Sequence, residues 1–254
     1  MPKVSIHMCT YNRAHFIQEA LNSVLSQTFR DFELLILDDC STDTTEDVIR
    51  PYLSDTRIRY VKNPVNLGIT KNRNYGLLLS TGEYVAVLDS DDYWINPHKL
   101  EMQVKFLDSH LDYTLVGTNM SIVDEHGNNA KEKKYPTKNF VIKNVLLIKN
   151  FFCHSSVLYR KKEVLNLGGY DEGLAIWEDY DLWLRIGFQY NFANLSEVTT
   201  AYRRHGNQSN SVSISNGKDT QKLIINRYGN RYNFHIVAKI INSIRNLITH
   251  HVSK

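Results

Sequence analysis

Four short strand-like segments constrain this chain more than any other feature, because each closes in a polar or acidic loop and is followed by residues at helical spacing. Val4 to Met8 ends in Thr10-Tyr11-Asn12-Arg13, and Phe32 to Leu37 ends in Asp38-Asp39. Ile58 to Val61 ends in the loop from Asn63 to Gly68, and Val85 to Leu88 ends in Asp89-Ser90-Asp91-Asp92. After the first run, Ile17, Ala20, Leu21, Val24 and Leu25 share one apolar helical face that can cover a sheet. Strand, loop and helix repeated at this spacing predict parallel strands joined by right-handed crossovers. Groups at the strand ends, Tyr11, Asp39 and Asp91 among them, then converge on one crevice, where open α/β sheets bind ligands.

The other elements follow from similar signals. Asp43 with Glu46 has capping-box spacing for a helix that ends near Pro51. A helix from about Thr70 to Leu79 carries Arg73 in its first turn, and Leu100, Val104 and Leu107 mark another. Thr114 to Ile122 reads as a strand with a turn at Glu125 to Asn128, Phe140 to Ile148 as a helix, and Ser155 to Tyr159 as a strand. Length and an acidic start favour a helix for Trp177 to Arg185, and Val198 to Arg203 reads as a strand.

Asp89, Asp91 and Asp92 leave one strand end together. Crowded carboxylates repel unless a positive group sits among them, and a hard divalent cation supplies one. A solvated acidic turn ahead of the helix after Pro97 is the plainer reading. Composition narrows the classes: at 254 residues the chain is large enough for one sizeable α/β core. A formal charge of +3, without Arg- or Lys-rich runs interleaved with aromatics, gives no nucleic-acid footprint. Cys9, Cys40 and Cys153 lack zinc-ligand spacing and are odd in number, so a reducing cytosol without disulfides is expected. No run approaches the ~20 apolar residues of a membrane span. Beyond Asp219 the sequence has no acid but carries Lys222, Arg227, Arg231, Lys239, Arg245 and Lys254. Phe234, Val237, Ile241, Ile244 and Ile248 form a helical stripe there, suited to packing on its own domain, on another subunit, or on an acidic membrane surface.

From Val4 to about Ser211 the sequence resembles the family 2 glycosyltransferases, the inverting enzymes with the GT-A fold. Four ordered blocks carry the resemblance: Val4-Ser5-Ile6 with Thr10-Tyr11-Asn12-Arg13; Leu37-Asp38-Asp39-Cys40-Ser41-Thr42-Asp43; Gly82-Glu83-Tyr84 with Leu88-Asp89-Ser90-Asp91-Asp92; and Glu178-Asp179-Tyr180-Asp181-Leu182-Trp183. It implies an α/β GT-A domain over 1–211, with a mixed, mainly parallel sheet flanked by helices. The nucleotide-binding half would be 1–110 and the acceptor-side half 111–211, followed by a basic helical extension over 212–254.

The activity implied is inverting transfer of a hexose or N-acetylhexosamine from a UDP-sugar to a hydroxyl of a glycan, in a surface polysaccharide or a protein-linked glycan, with Mn²⁺ or Mg²⁺. By the same resemblance Thr10, Tyr11, Arg13 and Asp39 surround the nucleotide, Arg73 approaches it or the diphosphate, and Asp89 lies near the ribose or donor sugar. Asp91 matches the metal ligand, with Asp92 the neighbouring candidate and His205 a third group near the diphosphate or metal. Asp179 matches the catalytic base. His154 reads either as lining the acceptor side or as a satisfied buried histidine. The protein would act in the cytoplasm, at the inner membrane face if the tail lies on lipid, with a homo-oligomer as the other use of that tail. A nucleotidyltransferase is disfavoured because no Gly-rich phosphate loop with an activating Lys is present. A catalytically silent partner of a larger glycan synthase is the alternative from another class.

Overall fold

The structure is a computed structural model that describes residues 1–206, 220, 223–229 and 231–232. The first half is a parallel layer: β1 (Val4–Thr10), α1 (Ile17–Leu25), β2 (Phe32–Asp38), α2 (Thr45–Ile49), β3 (Ile58–Lys62), α3 (Ile69–Leu79) and β4 (Tyr84–Val87). Next come β5 (Tyr93–Trp94), α4 (Lys99–Ser109), β6 (Tyr113–Val123), β7 (Lys131–Lys133) and α5 (Asn139–Val145). The last elements are β8 (Leu158–Arg160), α6 (Lys161–Asn166), α7 (Glu178–Gln189) and β9 (Asn191–Arg203).

All nine strands join one sheet in the order β3-β2-β1-β4-β8-β6-β9-β5, with β7 paired to β6. β1 to β4 run parallel, β8 is antiparallel to β4 and β6, and β9 is parallel to β6. Chain order reverses between β1 and β4, so their carboxyl ends flank the switch-point crevice that binds ligands in open α/β sheets. Alternation sorts the two faces. Tyr84, Ala86 and Leu88 pack with α1 and α4, whereas Val85 and Val87 pack with Leu77 of α3, Val164 of α6 and the apolar side of α7. Gly82 lets β4 start against β1: its N–H donates to Ser5 Oγ at 2.9 Å, and a Cβ there would lie 2.6 Å from the Ser5 nitrogen.

Three local expectations change. His154–Ser156 is a 3₁₀ turn and the strand begins at Leu158, because Ser156 closes the turn on the Cys153 carbonyl with both its N–H and its hydroxyl. Glu46 leaves the capping box and pairs with Lys62 at 2.9 Å, while Asp43 accepts from the Thr45 N–H. β9 starts at Asn191, ahead of the expected Val198; Asn194 is buried there and donates to the Pro136 and Phe151 carbonyls. Among the described residues no helix is long and apolar enough to cross a membrane. Residues 223–228 are helical and pack on α7, where Tyr228 donates to Asp181 and Tyr232 to the Leu184 carbonyl. The stripe from Phe234 to Val252 lies outside the described residues.

Candidate active site

The loop after β1, the loop after β2 and the acidic stretch after β4 meet at the sheet's carboxyl edge. Asn12 ties the first two together: its N–H donates to Ser41 Oγ, and its Oδ1 accepts from the Thr42 and Asp43 N–H groups. Asp39 accepts from Asn63 Nδ2 at 2.9 Å and from the Leu67 and Gly68 N–H groups at 2.8 Å each, which fixes the loop ahead of α3. Beside it the Tyr11 ring is 44% exposed and offers an open aromatic face at the crevice. Thr10 is buried; its carbonyl accepts from the Asp39 N–H, and its hydroxyl has no hydrogen-bond partner among the described residues.

The three acids after β4 have different surroundings. Asp92 is 2% exposed, accepting from Ser155 Oγ and from the Arg203 N–H. Burial, reinforced by Asp91 and Asp89, pushes its carboxyl well above the ordinary range. Asp91 stays at the crevice, its Oδ2 at 3.0 Å from His205 Nε2 and 3.3 Å from Arg13 Nε. The two-residue β5 makes that pairing possible. It binds Tyr93 and Trp94 to Ala201 and Thr200 of β9, so the end of β9 and His205 arrive beside Asp91. Asp91 and His205 supply an oxygen and a nitrogen, and among the described residues no group of three His, Cys, Asp or Glu side chains could hold a metal alone. Two protein donors fit a divalent cation that draws its remaining ligands from a bound diphosphate and water.

Arg73 is turned inward, between the end of β4 and the start of α7. It is 6% exposed, its Nη2 donates to Asp89 at 2.9 Å and its Nη1 to Glu178. Burial alone would raise the Asp89 carboxyl, but Arg73 and His154 outweigh it and hold Asp89 well below its usual range. Burial pushes Glu178 up, with Arg73 opposing and Asp179 adding to the rise. The ion pairs therefore join the end of β4 to the start of α7, where Asp179 is half-buried. Asp179 Oδ1 accepts from the Tyr180 N–H at 2.7 Å and its Oδ2 from Asn150 Nδ2 at 3.4 Å. His154 is 8% exposed, with Nε2 at 3.0 Å from the Tyr170 hydroxyl and Nδ1 at 3.6 Å from Asp89. It belongs to the buried layer beneath the crevice.

Glu178, Asn150, Ser155 and Arg203 escape a reading of the sequence because their partners lie far along the chain. Backbone strain marks the site as well. Among the described residues Asn12, Cys40, Asn129 and Trp177 are the non-glycines with positive φ, and the first, second and fourth adjoin Tyr11, Asp39 and Glu178. Such conformations cost ~1–3 kcal/mol each and persist where surrounding contacts enforce them.

The glycosyl transferase family 2 model matches residues 5–168. An uncharacterized glycosyltransferase of Methanocaldococcus jannaschii is 34% identical over 209 residues, covering 80% of this chain and 71% of that protein. The Escherichia coli UDP-Glc:α-D-GlcNAc-diphosphoundecaprenol β-1,3-glucosyltransferase is 32% identical over 268 residues, covering 98% of this chain and 96% of that protein. Among solved structures, Staphylococcus aureus TarS in complex with UDP-GlcNAc has a TM-score of 0.74 at 23% identity, covering 94% of this chain and 70% of that one. A Pyrobaculum calidifontis mannosyltransferase with GDP-Man and Mn²⁺ gives 0.63 at 20% identity, covering 96% and 64%. The two structures bear on the fold, and the matched region takes in the crevice loops after β1, β2 and β4: the chain is a GT-A-fold enzyme and belongs to glycosyltransferase family 2.

Proposed function

We propose that the protein transfers a hexose or N-acetylhexosamine from a UDP-sugar to a glycan hydroxyl with inversion, and that its acceptor is a lipid-linked intermediate of surface polysaccharide assembly. The observation that carries this reading is the pairing of Asp91 with His205 on the same crevice as Tyr11 and Asp39, with Asp179 on the α7 side of the ion pairs through Arg73. The near full-length likeness to the Escherichia coli glucosyltransferase favours UDP over other nucleotides and a diphosphate-lipid sugar as acceptor.

In this reading the domain occupies 1–211, and the 212–254 extension is anchored through the described part that packs on α7. Tyr11 stacks against the base, and the Asp39 oxygen that accepts only the Gly68 N–H retains capacity for the uracil imide N–H. Arg13 offers the diphosphate a guanidinium and Asp89, held ionised by Arg73, faces the donor ribose or sugar. Asp91 and His205 hold Mn²⁺ or Mg²⁺, which when bound offsets the charge that develops on the departing UDP. Asp92, with both oxygens already accepting hydrogen bonds, serves as the support of that loop. Asp179 removes the proton of the acceptor hydroxyl as that oxygen attacks the anomeric carbon from the side opposite the nucleotide. The Asn150 amide and the Tyr180 N–H orient its carboxylate.

A panel of UDP-, GDP- and TDP-sugars, assayed for released nucleotide with Mn²⁺ and a GlcNAc-diphosphate-lipid acceptor, tests the reading. Transfer from a UDP-sugar that stops on chelation with EDTA is the expected result. Preference for GDP- or TDP-sugars, or full activity in EDTA, contradicts it.

A further inference from the structure

Between Lys131 and Asn150 the chain carries six lysines and one glutamate. Glu132 pairs with Lys134 at 3.7 Å, and among the described residues Lys131, Lys133, Lys138, Lys143 and Lys149 make no ion pair. Lys133 lies 5.2 Å over the Tyr135 ring; burial lowers its ammonium pKa, and Lys149 and Arg204 add like-charge repulsion. Six cations with a single acid among them leave a positive field that attracts an external anion.

Around α5, farther along the segment, the surface is also apolar. In α5 only Ile142 is buried, while Phe140 is 79% exposed and Val141 43%. A cleft of about 400 Å³ is lined by Phe140 and Lys143 of α5, Phe188 of α7 and Arg231. Phe188 is itself 48% exposed, with the Arg231 guanidinium 5.1 Å over its ring. Exposed rings interleaved with unpaired cations match the boundary of an anionic bilayer, where rings enter between headgroups and acyl chains and the cations meet lipid phosphates. The sequence that continues past Tyr232 has no acid, so it adds no repulsion toward such a surface. The basic segment also ends at Asn150, whose amide reaches Asp179, so the face and the candidate active site share one stretch of chain.

We propose that the surface around α5, formed by Lys138, Phe140 and Lys143 together with Phe188 and Arg231, docks the protein on an anionic lipid bilayer, with Phe140 in the interface and Lys138 and Lys143 against the headgroups. This goes beyond the transfer reaction and depends on no assignment of donor or acceptor.

Co-sedimentation of the full chain with vesicles of phosphatidylcholine, with and without phosphatidylglycerol, tests the proposal. The wild type is expected to bind the phosphatidylglycerol-containing vesicles, to ignore pure phosphatidylcholine, and to be released by high salt. Phe140→Ser and the double variant Lys138→Glu/Lys143→Glu are each expected to bind at least about tenfold more weakly, with unfolding midpoints matching the wild type. Equal binding to both vesicle types overturns the proposal, and so does wild-type affinity in the two folded variants, which would assign the membrane contact to the chain beyond Tyr232. Either failure leaves the transfer reaction standing, because neither measurement involves a sugar donor.

Discussion

Adjacent acids at the end of β4 have different surroundings, and burial separates them. Asp91 keeps Oδ2 beside His205 at the crevice, whereas Asp92 is spent on Ser155 and the Arg203 N–H. Asp91→Ala is therefore expected to abolish the Mn²⁺-dependent part of UDP binding in calorimetry. Asp92→Asn is expected to retain it, since an amide oxygen can still accept from the Arg203 N–H and the amide N–H₂ can donate to the Ser155 hydroxyl. The reverse pattern would move the metal to Asp92. For Asp179→Asn, general-base catalysis worth ~10²–10⁴ in rate predicts at least a hundredfold slower transfer with UDP binding unchanged. Steady-state kinetics beside a UDP titration separates the two effects, and wild-type turnover would remove Asp179 from the mechanism.

Arg73 joins α3 to two other elements, the end of β4 through Asp89 and the start of α7 through Glu178. Removing one member of a buried ion cluster strands the charges it held, at a cost of about 3–5 kcal/mol. Arg73→Met is expected to lose that much stability in urea unfolding, and the added change Glu178→Gln to restore part of it. Absence of any such coupling would mean that the cluster does not hold α7 in place. Lys99, in α4, gives a pH signature of its own. Its ammonium is buried against Gln103 Oε1 and 4.2 Å over the Trp94 ring, and burial lowers its pKa from 10.5 to about 7. Between those values the unfolded chain binds more protons, so this group adds stability as pH rises from 7 toward 10.5, and below 7 its penalty is fully present. Compared with Lys99→Met, the wild type should gain at least about 1 kcal/mol between pH 7 and pH 10, measured by urea unfolding at both. Parallel changes in the two proteins would show that Lys99 does not titrate in this way.

Across the molecule, the parallel layer was legible because β1, β2 and β4 are buried along nearly their whole length and read as largely apolar segments. The polar residues after those strands were legible too, since parallel strands bring their carboxyl ends to one edge, while the strand order that puts the switch point between β1 and β4 is a finding of the structure. What stayed hidden depends on long-range polar satisfaction. The first half of β9 mixes buried Phe192, Ala193 and Asn194 with exposed Ser196 and Glu197 and so shows no strand period, the two-residue β5 is too short to carry one, and Arg73 looks like a solvated helix charge until Glu178 arrives 105 positions later. Family resemblance supplied the proposed roles of Asp91 and Asp179, and the geometry adds that both Asp92 oxygens accept hydrogen bonds from Ser155 and the Arg203 N–H and that the Asn150 amide donates to Asp179. The most direct measurement is the anomeric configuration of the product formed from an α-linked UDP-sugar, read by NMR. A β-linked product, from one displacement with Asp179 as base, is the predicted result, and an α-linked product would contradict the account.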